Sequence, residues 1–119
     1  QYEGKWIHRE LLKAYAGFSA QLANSEIPKT IVTGNWGCGA KGGDPQLKAV
    51  IQLMACAAAG KNLYYCCEGD ANLFHGLFTL MNKIEDMTDL TVGTLYHRVI
   101  DRAEYCKVNR KAFLLKELL

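Results

Sequence analysis

The sequence predicts an α/β fold built around one strand–helix–strand unit. Two short runs rich in β-branched and aromatic residues, at 30–33 and 63–67, have the composition of strands. Apolar side chains recur at helical spacing between them, and two further helical patterns follow the second run. When a helix connects two strands in this way, the two strands are expected to pair in parallel. Two strands cannot make a sheet that is covered on both faces, so we expect sheet partners from residues outside this chain.

Length, composition and charge limit the class of protein. The 119 residues are 50% hydrophobic and 22% charged, which is typical of one globular domain. Fourteen basic and twelve acidic side chains give a net charge of +2, too low to indicate DNA binding. No apolar run approaches the ~20 residues of a membrane span, and the amino terminus has no secretory apolar segment. We expect no direct contact with DNA or membranes.

The chain begins with a predicted helical segment at 1–29. Apolar side chains recur within residues 4–22, and Pro28 with the polar residues before it ends the pattern. The residues that recur at helical spacing are Ile7, Leu11, Phe18 and Leu22, with Trp6 and Tyr15 beside them.

Residues 30–119 carry the predicted strand–helix–strand unit and the helices after it. Asp44 followed by Pro45 predicts the start of a helix that Gly60 stops, and Asp70 and Thr91 cap two more. We expect the apolar C-terminal run at 112–119 to be a helix that docks on the domain, with an exposed partner surface as the alternative. The first of the three capped helices carries an apolar stripe, the second runs through a series of apolar residues, and the third directs its apolar residues inward; in that order the residues are Leu47, Val50, Ile51, Met54 and Ala58; Leu73, Phe74, Leu77, Phe78 and Met81; and Val92, Leu95, Val99, Ile100 and Ala103.

The five cysteines form an odd set without a CxxC pair: Cys38, Cys56, Cys66, Cys67 and Cys106. This pattern favours reduced thiols in an intracellular protein and disfavours a structural zinc site. We therefore predict neither a metal nor a cofactor.

The glycine-rich stretch TGNWGCGAKGGD, at 33–44, is the most informative part of the chain. A strand, a glycine loop and a capped helix together form a phosphate cradle, because bare N–H groups and the helix N-terminus attract an anion. A tight turn with only a structural role is the alternative. The Walker pattern fails, since Ala40 and Lys41 follow Gly39 where Lys and Ser/Thr are required. GxGxxG matches at 37–42, but Glu68 lies 26 residues past Gly42 rather than ~20, so a dinucleotide-binding Rossmann unit ranks second.

This stretch, with the QLKAVIQLMACAAAG that follows it, closely resembles the C-terminal part of the catalytic domain of the poly(ADP-ribose) glycohydrolase family. Three other stretches agree in order: ELLKAYAGF at 10–18, Gly69-Asp70 and LTVG at 90–93. The resemblance implies the C-terminal portion of a macrodomain-like mixed sheet flanked by helices. It also implies hydrolysis of ribose–ribose O-glycosidic bonds, which releases ADP-ribose.

The resemblance further implies a ligand site and a setting. Asn35 would lie at the ribose next to the scissile bond and Glu68 on the adenine side, and the family acts in the nucleus and cytoplasm in the DNA damage response. Poly(ADP-ribose) or ADP-ribose and the N-terminal remainder of the catalytic domain are the implied partners. The implied ligand-binding residues are Asn35, Trp36, Gly37, Cys38, Gly39, Ala40 and Lys41.

Three departures from the family qualify this expectation. The family's catalytic Gln-Glu-Glu lies upstream of the matched part, and this chain has no Glu-Glu pair, so we predict no catalytic residue here and no hydrolysis by the chain alone. Lys41 and Glu68 replace an aromatic near the terminal ribose and an adenine-stacking phenylalanine. A non-catalytic ADP-ribose-binding module or degenerate paralogue is therefore the alternative function.

Overall fold

The computed structural model describes residues 3–19, 30–36, 38, 44–108 and 118. In chain order the elements are helix α1 (Gly4–Ser19), strand β1 (Thr30–Thr33), helix α2 (Pro45–Ala58), strand β2 (Asn62–Tyr65), helix α3 (Ala71–Glu85) and helix α4 (Val92–Val108). The predicted strand–helix–strand order followed by two helices is confirmed.

Strands β1 and β2 form a two-stranded parallel sheet whose register runs from Thr30 opposite Asn62 to Thr33 opposite Tyr65. β2 ends at Tyr65, two residues earlier than predicted, although the Cys66 N–H still donates to the Thr33 carbonyl at 2.9 Å. The extended run stops there because a turn follows, in which Glu68 and Gly69 have positive φ.

The two faces of this sheet have different surroundings. Side chains alternate between faces along a strand. Ile31, Leu63 and Tyr65 are half-buried on the face towards α2, whereas Val32 and Tyr64, which lie opposite each other, remain 69% and 64% exposed. The prediction that residues outside this chain complete the sheet remains a prediction.

Helix α2 forms the centre of the core and packs against α1, α4 and β2. Its start is fixed as predicted: the Asp44 carboxylate accepts the Gln46 N–H at 2.9 Å, and Pro45 is the first helical residue. Gly60 follows its end with a φ of +69°, a left-handed conformation that suits glycine. Nine of its residues are buried: Leu47, Lys48, Ala49, Val50, Ile51, Gln52, Met54, Ala55 and Cys56. Ala58, the last residue of the predicted apolar stripe, lies in the exposed last turn, while the other four residues of the stripe are buried.

Helix α1 packs on α2 through a face that the sequence predicts only in part. Ile7 is fully buried, and Trp6, Leu11 and Phe18 are partly buried against the core. Tyr15 is exposed, and Glu10 is buried in its place on the inward face. Leu22 and Pro28 lie outside the described residues.

Helices α3 and α4 begin at their predicted caps, where Asp70 accepts the Leu73 N–H and Thr91 Oγ1 accepts the Thr94 N–H. α4 buries Leu95, Val99 and Ala103 as expected. α3 runs through the predicted apolar residues, but it buries only Leu73 and Leu80, and the side chains of Phe74, Phe78 and Met81 are exposed.

At the C-terminus, Leu118 is buried, and the rest of the run 112–119 lies outside the described residues. All five cysteines are free thiols. Within the described part of the chain, none of the helices is long and apolar enough to cross a bilayer.

Candidate functional site

The loop after β1 is attached to the middle of α2 by one buried side chain. Gln52, which is 1% exposed, accepts a hydrogen bond from Thr33 Oγ1 at 2.6 Å and donates one from Nε2 to the Gly34 carbonyl at 3.0 Å. Both polar ends of the amide are therefore satisfied in a dry environment. This arrangement fixes the point at which the chain leaves the strand and enters the loop.

Asn35 is held by a residue from the neighbouring strand. The Tyr65 hydroxyl donates to Asn35 Oδ1 at 2.8 Å, and among the residues that the structure describes the amide Nδ2 of Asn35 has no acceptor, so it can donate to another partner. Burial, and secondarily the nearby Cys38, Cys67 and Glu68, raises the pKa of Tyr65 well above its ordinary value. Tyr65 therefore keeps its proton at neutral pH and remains the donor in this pair.

A tight turn follows at Gly34–Cys38. The Trp36 N–H donates to the Gly34 carbonyl at 2.8 Å, and the Cys38 N–H donates to the Asn35 carbonyl at 3.1 Å. The Cys38 thiol donates to the Trp36 carbonyl at 3.5 Å. Burial raises the pKa of this thiol, and the opposing charge of Lys48 does not reverse the shift. Cys38 is thus a protonated turn residue and not an activated nucleophile.

Glu68 lies against the first residue of the loop. A Cβ atom at Gly34 would be 3.2 Å from Glu68 Oε1 and 3.4 Å from the Cys66 carbonyl oxygen, so a side chain at position 34 would require one of them to move. Glu68 itself has a φ of 53°, uncommon for a residue with a side chain. The turn after β2 therefore brings a carboxylate next to the loop after β1.

A charged cluster that was not predicted from the sequence lies beside this loop. Lys48 Nζ lies 4.0 Å from the centre of the Trp36 ring, 4.8 Å from that of Trp6 and 3.7 Å from Glu10 Oε2. Its signal in the sequence is a lysine among the apolar residues of α2, together with a glutamate between Ile7 and Leu11 on the inward face of α1.

The structure thus brings four of the predicted site residues to the carboxyl edge of the two strands: Asn35, Trp36, Cys38 and Glu68. Gly37, Gly39, Ala40 and Lys41, the other residues that the family resemblance implies for ligand binding, lie outside the described residues, and their contacts remain predictions. Asn35 offers an oriented amide donor, and the capped N-terminus of α2 follows the loop with its partial positive charge. Such an edge is suited to a polar ligand with hydroxyl and anionic groups.

Comparison with known proteins identifies the family. The family described as "Poly (ADP-ribose) glycohydrolase (PARG), Macro domain fold" matches residues 1–75. Poly(ADP-ribose) glycohydrolase 1 of Caenorhabditis elegans is 37% identical over 94 residues, which cover 78% of this chain and 12% of that protein. Poly(ADP-ribose) glycohydrolase 2 of the same organism is 46% identical over 68 residues, 56% of this chain and 14% of that protein.

A plant relative gives the same result. Probable poly(ADP-ribose) glycohydrolase 2 of Arabidopsis thaliana is 32% identical over 91 residues, which cover 71% of this chain and 16% of that protein. The chain therefore spans less than a fifth of the length of each of these three relatives. The match to a Macro domain fold replaces the Rossmann interpretation of the glycine loop and agrees with the parallel strand pair and its helices. The chain belongs to the poly(ADP-ribose) glycohydrolase family and carries part of its macrodomain fold.

Proposed function

We propose that this chain forms the ribose- and diphosphate-binding part of a poly(ADP-ribose) glycohydrolase, which hydrolyses ribose–ribose O-glycosidic bonds and releases ADP-ribose. The observation that carries the proposal is the Asn35 amide, held by the Tyr65 hydroxyl at the edge where the glycine loop begins. In this proposal the catalytic carboxylates belong to a segment upstream of the matched part, because the chain contains no Glu-Glu pair. The chain alone then binds ligand without cleaving it.

The Asn35 amide is held in one orientation before any ligand binds. A ribose presents hydroxyl groups that accept hydrogen bonds, and the bond to Asn35 Oδ1 orients the amide so that Nδ2, which has no acceptor among the described residues, can donate to such a group. An amide fixed before binding loses less conformational entropy when the ligand arrives. Gln52 supports the same arrangement, since it holds the adjacent Gly34 carbonyl.

A calorimetric titration of the folded chain with ADP-ribose, with NAD as the comparison ligand, tests the binding part of the proposal. We expect ADP-ribose to bind more tightly than NAD. Tyr65→Phe removes the hydroxyl that orients Asn35 and should weaken ADP-ribose binding about fivefold, the equivalent of one hydrogen bond. Tyr64→Phe is the matched control, because Tyr64 is exposed on the other face of the same strand. Equal weakening by both variants would contradict the role of Asn35.

Release of ADP-ribose from purified poly(ADP-ribose) tests the catalytic part. We expect no release by this chain and release by a protein that joins it to the family's upstream catalytic segment. Release by the chain alone would show that the catalytic carboxylate lies within these 119 residues.

A non-catalytic ADP-ribose-binding module is the second candidate, and the placement of Glu68 favours it. Glu68, whose carboxylate lies beside Gly34, is at or near the position of the family's adenine-stacking phenylalanine. A carboxylate cannot stack on adenine. If the protein with both segments binds ADP-ribose and releases none from the polymer, this second function is the correct one.

A further inference from the structure

Lys48 is a charged residue in an unfavourable place. It is 5% exposed, although lysine is rarely buried, and it is the fourth residue of α2, near the helix end whose partial positive charge disfavours a cation. Such a group requires compensating partners, because an unpaired buried charge is very costly. The groups that contact the Lys48 ammonium group therefore indicate its role.

Those partners come from two different elements. Glu10, itself 6% exposed, places Oε2 3.7 Å from Lys48 Nζ and 3.6 Å from Lys13 Nζ. The other two partners are indole rings: Trp6 from α1 and Trp36 from the loop after β1. An ammonium group over an aromatic face is attracted by the ring, most strongly where water is excluded. The ammonium group thus joins α1 to the loop.

Stability alone gives a weak reason for this arrangement. A buried ion pair can often be replaced by apolar residues of similar volume without loss of stability. The Trp36 ring, in contrast, is 38% exposed and belongs to a short turn held by the backbone bonds described above. The cation at 4.0 Å fixes the face of this ring against α2.

We propose that Lys48 is a positioning residue for the ligand-binding loop, holding the Trp36 indole by a cation–π contact while Glu10 and Trp6 hold the ammonium group in place. The identity of the ligand rests on the function proposed above, whereas the positioning of Trp36 by Lys48 does not depend on that function. A consequence is that a change at Glu10, which lies in α1 and outside the loop, alters the loop.

Tryptophan fluorescence tests this directly, because the chain contains two tryptophans and both contact Lys48. Trp6→Phe leaves Trp36 as the only tryptophan and keeps an aromatic ring at position 6. In this background we expect Lys48→Met to shift the Trp36 emission to the red and to increase its quenching by acrylamide. Lys48→Arg should preserve both signals, because a guanidinium group also stacks on indole and pairs with a carboxylate. Lys83→Met, on the exposed surface of α3, is the matched control.

The double variant Glu10→Leu/Lys48→Met separates positioning from folding. It replaces the ion pair by apolar side chains, so we expect a circular-dichroism spectrum and an unfolding midpoint like those of the wild type. Acrylamide should nevertheless quench the Trp36 fluorescence as strongly as in Lys48→Met. In the chain with native Trp6, ADP-ribose affinity should fall about tenfold in both Lys48→Met and the double variant.

Three results would overturn the proposal. The first is unchanged Trp36 quenching in folded Lys48→Met, and the second is wild-type quenching in the double variant. The third is a double variant that does not fold, which would make the ion pair a requirement of the fold. If the wild-type chain binds no ADP-ribose, the proposed function fails, but the fluorescence result still decides whether Lys48 orders the loop.

Discussion

Helices α2 and α3 begin in the same way and are nearly equal in length, yet they bury very different shares of their side chains. Each starts at an aspartate whose carboxylate accepts a backbone N–H, and they contain 14 and 15 residues. α2 buries nine residues and α3 buries two. The N-terminal signal therefore determines where a helix starts, while the elements around it determine which faces are covered.

The difference extends to the kind of residue that each helix directs inwards or outwards. α2, enclosed by α1, α4 and β2, buries the polar Lys48 and Gln52 together with its apolar residues. α3 exposes Phe74 and Phe78, whose rings stack at 6.1 Å. The polar residues that α2 turns inwards contact the loop after β1, whereas the apolar residues that α3 turns outwards contribute little to the described core.

Truncation of one apolar residue on each helix should show this contrast most clearly. Ile51→Ala on α2 removes a fully buried side chain and should lower the free energy of unfolding by about 3 kcal/mol. Phe78→Ala on α3, where the ring is 59% exposed, should cost less than about 1 kcal/mol despite the larger side chain. Urea denaturation of both variants measures the difference. A loss at Phe78 as large as that at Ile51 would mean that another element covers α3.

A polar substitution in α2 should have the next largest effect. Gln52→Leu keeps the approximate volume but leaves Thr33 Oγ1 and the Gly34 carbonyl without their partner, at a cost of about 2–3 kcal/mol. Asn82→Leu, at an exposed position of α3, is the control and should change stability by no more than ~0.5 kcal/mol. Thermal unfolding compares the two. A neutral Gln52→Leu would show that the loop base does not depend on this amide.

The same comparison shows how much of the molecule the sequence could predict. Helix starts at Asp44, Asp70 and Thr91 were predictable, because capping is a local interaction between residues two or three positions apart. Apolar periodicity also predicted the strand–helix–strand order. It could not predict that Phe74 and Phe78 are exposed, because periodicity indicates that a helix has an apolar face but not whether another element lies over it.

The candidate site was predictable only where its signal was a contiguous motif. Asn35 and Trp36 lie within the recognisable TGNWG stretch, and the turn at Glu68 lies directly after a predicted strand. The contacts that orient them join residues that are distant in sequence: Tyr65 with Asn35, and Lys48 with Glu10. Such pairs depend on how α1 and β2 pack beside the loop, which no local pattern records.

Removal of each N-cap should give smaller effects that still distinguish the helices. Asp44→Ala and Asp70→Ala each remove a side-chain acceptor and should cost about 1 kcal/mol of stability. Asp44 also ends the glycine loop, so its removal should weaken ADP-ribose binding as well, whereas Asp70→Ala should leave binding unchanged. Chemical denaturation and calorimetric titration of both variants provide the two measurements. Equal binding by the two variants would place the α2 N-terminus outside the ligand site.

The smallest expected effect is on the pH dependence of the unfolding free energy. It compares Tyr65 and Tyr64, which lie on opposite faces of β2. Burial raises the pKa of Tyr65 and of the Cys38, Cys56 and Cys67 thiols, so the folded chain retains protons that the unfolded chain loses first. The stabilisation is fully present below the unfolded values, 9.0 for the thiols and 10.0 for tyrosine, and is lost as the pH rises above them.

We therefore expect the unfolding free energy to decrease as the pH rises above 9, and more steeply above 10, where Tyr65 contributes. Tyr65→Phe should reduce the slope above pH 10, whatever its effect at neutral pH, because the variant has no proton to lose at that position. Tyr64→Phe, which removes a hydroxyl from the exposed face of the same strand, is the matched control. Urea denaturation in steps from pH 8 to pH 11 measures these slopes. Identical slopes in the wild type and Tyr65→Phe would mean that the Tyr65 hydroxyl is not buried against Asn35, which would remove the support for an oriented amide in the ligand site.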